Sequence, residues 1–210
     1  MTSGLLRPSD SDVQVWPAYT DVAFNITLIL MVYLFTQAVV ASQTSAILIE
    51  VQARQTALQE AIFQALPPEM RQDVTIQPDG NLLKITFADR ILFETGRAEL
   101  REEGEQVLGH VGGVLAQYIS SFTRIQVEGH TDDIPIRRPP FLSNWELSSA
   151  RATSVVRFMQ DRVGMDPGLL SATGFSEYQP VDSNPTDQGR AKNRRIELVI
   201  VYSTLARADM

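Results

Sequence analysis

From Val22 to Ala41 the chain reads V-A-F-N-I-T-L-I-L-M-V-Y-L-F-T-Q-A-V-V-A, without one charged residue. That is roughly the 20 residues a helix needs to cross the hydrocarbon core of a bilayer. The run opens on Asp21, the last residue of W-P-A-Y-T-D. A carboxylate within a turn of such a run must be neutralised, paired or given water. Acids so placed usually belong to ion or proton pathways. Three readings of the run compete. As a transmembrane helix over residues 17–41, it has Pro17 at an early position where no N–H is needed. Trp16 and Tyr19 then sit at headgroup level. As a cleaved signal peptide it offers V-V-A, Val39 to Ala41, but no basic leader: Arg7 stands against Asp10, Asp12 and Asp21. A buried core helix is disfavoured by length. Orientation is open from charge alone, with Arg7 before the span and Arg54 after it.

The 210 residues leave room for one ordinary domain beside the anchor. Cysteine is absent, which excludes disulfides and thiolate metal sites. His110 and His130 are too few for a recognisable zinc cluster, so no metal site and no cofactor is expected. A formal net charge of −7 argues against nucleic acid, which calls for a basic stripe.

Residues 42–66 hold neither glycine nor proline and predict a juxtamembrane helix, closed by Pro67-Pro68. Val51, Leu58, Ile62 and Ala65 share a stripe with Gln55; it packs either on its own domain or on a second copy. Beyond it strands and helices alternate. Val74–Gln77 and Leu82–Phe87 flank Pro78-Asp79-Gly80, a hairpin signal. Arg101–Ile119 reads as a helix on Val107, Val111, Val114, Leu115 and Tyr118, and its Gly109-x-x-x-Gly113 suggests close packing on a sheet. Arg124–Glu128 reads as a strand, Ile134–Pro140 as a proline-rich loop. Ser143-x-x-Glu146 is a capping box opening a helix to about Arg162, with Gly164 placed for a left-handed cap. Arg195–Tyr202 closes as a strand. The mixture predicts an α+β layer domain.

Three stretches of this domain, E-G-H-T-D-D-I-P (Glu128–Pro135), S-N-W-E-L-S-S-A-R-A (Ser143–Ala152) and G-R-A-K-N-R-R-I-E (Gly189–Glu197), together resemble the OmpA-like peptidoglycan-binding family. S-N-W-E-L-S resembles the flagellar stator B subunits, the MotB family. W-P-A-Y-T-D before an apolar span resembles the ion-carrying helix of that family and of the related Zorya defence motor. The resemblance covers about two thirds of the chain, with the motifs in family order. It implies a transmembrane helix at 17–41 after a short cytoplasmic tail at 1–16, a juxtamembrane helix at 42–68, an OmpA-like α/β sandwich domain at 69–204, and a tail at 205–210.

The resemblance also assigns roles. Peptidoglycan stems carrying diaminopimelate end in an ammonium and a carboxylate. Asp132 in the T-D motif, after Thr131, suits the ammonium; Arg151 in L-S-x-x-R-A suits the carboxylate, gripped by its planar fork. Read without the family, Asp132 caps a loop and Arg151 is a surface helix residue. Asn144 positions the ligand loop and starts the helix, and Leu147 packs beneath the site. Arg190, Asn193 and Arg194 line or brace it. His130 near Asp132 lacks any nucleophile pattern, so a binding domain is expected rather than an enzyme. At the other end Asp21 carries H⁺ or Na⁺, with Asn25 one turn on sharing its hydrogen bonding or gluing helices. The implied partners are a second copy, a ring of a polytopic MotA-like subunit, the bacterial inner membrane and peptidoglycan, with the N-terminus cytoplasmic and the C-terminal domain periplasmic. The expected function is the ion-conducting, wall-anchored B subunit of a rotary motor. A passive membrane-to-wall tether is the alternative, and a secreted wall-binding protein the third reading. The basic N-terminal cluster of flagellar relatives is missing and the linker is short, which leaves flagellar, defence and other motors open.

Overall fold

The computed structural model describes residues 15–137 and 139–202, without the side chains of residues 15–18 and 46–48. The tail read at 205–210, nearly all of that at 1–16, and the side chains of Trp16 and Pro17 lie outside the described residues. The chain divides into two compact units, one ending at Ile49 and the other beginning at Glu50. Helix α1, Val15–Ala65, contributes to both. Residues 18–66 contain no glycine or proline, so nothing breaks the hydrogen-bond ladder between the two helical stretches of the sequence, and they form one helix.

In the first unit every side chain from Tyr19 to Ser45 is exposed, including Phe24, Ile29 and Phe35. The hydroxyls of Thr27, Thr36, Thr44 and Ser45 donate to carbonyls three or four residues back, at 2.7–2.9 Å. Polar groups satisfied within the helix and apolar groups turned outward are what a lipid environment requires.

In the second unit α1 turns inward-facing. Leu58, Ile62 and Leu66 enter the core. The buried Gln55 amide donates to the carbonyls of Gly80 and Leu82, at 2.9 and 3.0 Å, and so ties the helix to a hairpin. The Val51–Ala65 stripe therefore packs on its own domain, and its largest members are not free for a second copy. The hairpin is β1 (Val74–Asp79) and β2 (Leu82–Ala88), joined by Gly80-Asn81 with Gly80 at φ +59°. Glycine takes this first loop position because it alone enters positive φ without strain.

The chain continues through α2 (Asp89–Leu92), α3 (Glu102–Gln117), β3 (Phe122–His130), α4 (Asn144–Phe158), β4 (Leu170–Gly174), α5 (Asp187–Asn193) and β5 (Arg195–Tyr202). One sheet results, in the order β1-β2-β5-β3-β4, antiparallel except for the β3–β4 pair that α4 connects. Leu83, Ile85, Phe87, Ile125, Val127, Ile196, Leu198 and Ile200 alternate onto one face, where Val107, Leu108, Val111, Leu115 and Val155 join them in the core. Lys84, Thr86, Glu128 and Glu197 fall at the intervening positions.

Helix α4 begins where the sequence places it. Ser143 Oγ accepts from Glu146 N at 3.3 Å, while the Glu146 carboxylate reaches back to Leu142 N at 2.8 Å, one residue beyond the usual box. A π-helical turn, Met159–Val163, ends the element at Gly164, φ +81°. The Gly109/Gly113 expectation fails: a Cβ at either meets open space. Gly104 and Gly112 are the close-packed pair instead, against Leu92 backbone and the Val163 and Met159 side chains. The i, i+4 spacing marked the wrong helix face. Closer still is Gly129 on β3, where a Cβ would come within 2.2 Å of the Ser148 carbonyl oxygen; α4 lies directly on that strand.

Gly129→Ala is expected to destabilise the protein by about 1–3 kcal/mol through overpacking. Gly113→Ala, on an exposed helical face, should stabilise it by about 0.5–1 kcal/mol. Urea unfolding of the detergent-solubilised chain checks both signs.

Candidate functional site

The tight seat of α4 on Gly129 brings its first turns to the carboxyl end of β3, where the chain enters the loop after His130. Asn144, the first residue of α4, organises that loop. Its side-chain oxygen accepts from Ile136 N at 3.1 Å, and its amide reaches the carbonyls of Asp132 and Ile134 at 3.3 and 3.2 Å. The same amide donates to Glu177 Oε2 at 2.7 Å, which joins the loop after β4 to the assembly. Thr131 is buried beside it: its N–H donates to the Ser176 carbonyl and its hydroxyl to the Asp132 carbonyl, both at 2.9 Å. Ser176 holds φ +54°, a left-handed conformation rare outside glycine, and its N–H is fixed by Ser148 Oγ at 3.1 Å.

Two carboxylates and two guanidiniums meet here. Asp132 is 6% exposed; its Oδ1 accepts from Ile134 N at 3.1 Å and its Oδ2 pairs with Arg194 Nη1 at 2.5 Å. Arg151 is 2% exposed, so the surface-residue reading fails. Its Nη1 lies 2.8 Å from Asp89 Oδ1, Nε donates to the Arg97 carbonyl at 2.8 Å, and Nη2 donates to the Glu94 carbonyl at 3.3 Å. The guanidinium carbon stands 5.0 Å from the centre of the Phe93 ring. Burial pushes the Asp89 carboxyl above its ordinary range, against the pull of Arg151 and Arg194. Burial likewise lowers the Arg151 guanidinium, and Asp89 opposes that. Asp132 acts on both groups, so the four form one electrostatic unit. A balanced set of two acids and two forked cations can exchange its internal pairs for a ligand carrying an ammonium and a carboxylate. A cleft of about 1140 Å³ borders Asp89, Phe93, Glu94, Thr95 and Arg194, while Asp132 and Arg151 lie off its wall.

The other expected site residues divide. Leu147 is buried, on the turn of α4 after Asn144. Asn193 is fully buried and binds Val181 N, Asp182 N, the Asp182 carbonyl and Asn184 Oδ1, so it braces the loop before α5. Arg190 braces the same loop, through the Asn184 carbonyl and Asp187, and makes no bond to the four charges. Asp21 and Asn25 belong to the first unit, one turn apart on α1. There the Asn25 amide donates to the Asp21 carbonyl oxygen at 2.9 Å, leaving the carboxylate out of the bond.

Sequence reasoning missed Asp89 and Phe93, the partners that make Arg151 tolerable. Phe93-x-Thr95-Gly96, with Gly96 at φ +74°, was the available signal of a built turn after β2. It also missed a cluster on β3 and β5, where Glu128, His130 and Glu197 each bring a donor atom within 4.8 Å of the others. Glu197 already holds Arg195 at 2.6 Å and Lys84 at 3.1 Å. Burial alone would raise its carboxyl; the two cations hold it below the usual range. His130 stacks on Phe175, 5.2 Å between centroids, and neither ring nitrogen has a hydrogen bond among the described residues. Glu128 Oε2 stands 3.7 Å from Nε2, too long for the hydrogen bond that orients a catalytic base.

Comparison with known proteins bears on residues 92–194, which match the OmpA family model. Motility protein B of Bacillus subtilis is 39% identical over 119 residues, 57% of this chain and 45% of that one. The chain spans about half the length of the curated relatives it matches. The crystal structure of a MotB-like protein from Desulfovibrio vulgaris superposes with a TM-score of 0.67 at 26% identity, over 74% of this chain and 97% of that one. The cell wall anchor of the type VI secretion system from Pseudomonas aeruginosa gives 0.59 at 31% identity, over 63% and 90%. None of these three bears an enzyme's name.

Arg151→Met alone is expected to destabilise the fold by about 3–5 kcal/mol, because it leaves Asp89 buried without its partner. Asp89→Leu combined with Arg151→Met should cost well under the sum of the two single changes. Strict additivity in a double-mutant cycle, read by urea unfolding, would show that the pair does not organise the site.

Proposed function

Because residues 92–194 belong to the OmpA family and their domain is MotB-like, we propose that the chain is the wall-anchored, ion-carrying B subunit of a rotary membrane motor. The observation that carries this reading is one chain's joining of an uncharged apolar helix that opens on Asp21 to a MotB-like domain. The exposed apolar helix is read as a single inner-membrane span, N-terminus cytoplasmic and C-terminal domain periplasmic. Its partners in this reading are a second copy and a ring of MotA-like subunits.

The mechanism follows from two fixed points. The four-charge site holds the diaminopimelate end of a peptidoglycan stem, its ammonium toward Asp132 and its carboxylate toward the guanidiniums of Arg151 and Arg194. Anchorage to the wall keeps this subunit from turning with its partner. Asp21 binds H⁺ or Na⁺ in a partly dehydrated site, and occupancy removes a charge whose presence biases how the ring packs. One elementary charge crossing 100 mV delivers about 2.3 kcal/mol, enough to drive a step. Asn25 lies one turn on, placed to hydrogen-bond the ion site or a neighbouring helix. Flagellar rotation and Zorya-type defence are both motors this mechanism serves.

A passive tether is the second reading, favoured by the likeness to a protein described as a cell wall anchor. Asp21→Asn separates the two. In cells carrying the chain with its partner subunit, the substitution should leave membrane insertion and wall retention intact and abolish ion-driven work. Work that persists undiminished would leave the tether.

A further inference from the structure

Two aromatic side chains stand in solvent beside the four-charge site. Trp145, second residue of α4, is 49% exposed, and Tyr178, in the loop after β4, is 66% exposed. Their rings stack on each other with centroids 5.5 Å apart and planes at 27°. Trp145 and Tyr178 each adjoin in sequence one partner of the Asn144–Glu177 hydrogen bond, made by the amide that also reaches the Asp132 carbonyl. The loop carrying Tyr178 does not need the stack to stay in place. Phe175 N donates to the Gly129 carbonyl, Ser176 N to Ser148 Oγ, and the Ser176 carbonyl receives Thr131 N. Large aromatic surface left in water forgoes the gain of burial, and such surface beside a polar site marks a place for a ligand.

We propose that Trp145 and Tyr178 form a platform for a pyranose ring of the glycan strand, next to the site that takes the stem peptide. A pyranose offers a flat face of C–H groups that packs on an aromatic ring, and a rim of hydroxyls that needs hydrogen-bond acceptors. Carboxylates neighbour both rings in sequence: Glu177 precedes Tyr178 and Glu146 follows Trp145, each with one oxygen bonded, by the Asn144 amide and Leu142 N, and the other open to a hydroxyl, while Asp133 adjoins Asp132. A protein partner would call for a broader apolar surface than two rings edged by acids. Position points the same way, since the stem peptide is covalently joined to the glycan. A wall fragment held at Asp132 and Arg151 brings sugar to its immediate surroundings. The platform rests on the reading of the four-charge site as a stem-peptide site, and it gives that site a second, uncharged foothold.

The test uses the full chain in detergent micelles and two probes: glycan strands stripped of peptide by an amidase, and a free stem tetrapeptide containing diaminopimelate. Trp145→Ala and Tyr178→Ala should each weaken binding of stripped glycan about ten-fold, the loss of one stacked contact with its buried area. Affinity for the free tetrapeptide should change less than two-fold, and Trp145→Phe should recover most of the glycan affinity. Unchanged thermal unfolding of each variant establishes that the fold is intact. Glycan affinity that is absent in the wild type, or untouched by both alanine variants, overturns the platform. Loss of both affinities in a folded variant also overturns it, since the rings would then belong to the peptide site. Wild-type binding of stripped glycan through these rings, with no binding of the tetrapeptide, would sink the stem-peptide reading and leave the platform standing.

Discussion

A guanidinium buried to 2% exposure organises the C-terminal unit. An unpaired charge at that depth carries a penalty of several kcal/mol, so the fold must bring an acid and carbonyls to meet it. Asp89 comes from the start of α2, directly after β2; the Glu94 and Arg97 carbonyls come from the following turn; Arg151 itself comes from α4. One side chain thus ties the hairpin end to the helix that follows β3. The helix can present it there only because Gly129 and Gly174 have no side chain to hold α4 off the sheet. The second pair, Asp132 with Arg194, closes the set against β5. In the proposed reading, the two matched pairs hold a binding site in a self-satisfied form that trades partners with a zwitterion.

Much of the local structure was legible because its signals are short-range. The capping box at Ser143, the left-handed cap at Gly164, the hairpin around Gly80 and the strand from Arg195 each depend on a few neighbouring residues. The same holds for the helix stop at Pro67-Pro68. Failures came where the cause lies far away in sequence. Gly109-x-x-x-Gly113 had the spacing of a packing face, but which face packs is decided by Leu92, Met159 and Val163. Arg151 was identified through its motif; its burial was not, because Asp89 is 62 positions earlier and nothing local announces the pair. Arg190 and Asn193 belong to a motif that reaches the site, yet their bonds go to the loop they follow. One short motif carries both bracing and contacting residues, and only geometry sorts them.

The two units answer to different solvents. Between Tyr19 and Ser45 four hydroxyls and the Asn25 amide are bonded within the helix and the apolar groups face outward, whereas beyond Val51 the same helix buries leucine and isoleucine in a protein core. Asp21 is the one acid of that stretch, and the Asn25 amide reaches its backbone carbonyl rather than its carboxylate. In the proposed motor that carboxylate works only against a partner ring, and the second unit works only against the wall. Each supplies what the other lacks: a titrating group, and a point that does not move.

In the proposed wall anchor, the Asp132–Arg194 and Asp89–Arg151 pairs exchange for the ammonium and carboxylate of one ligand end. Calorimetric titration of the full chain with two stem tetrapeptides tests it most directly, one containing diaminopimelate and one containing lysine, which has the ammonium and lacks the distal carboxylate. The diaminopimelate peptide should bind at least about ten-fold more tightly, the loss of a charge-assisted bidentate contact in the other. Equal affinity for the two peptides would contradict the account, for the buried guanidinium would then have no part in recognition.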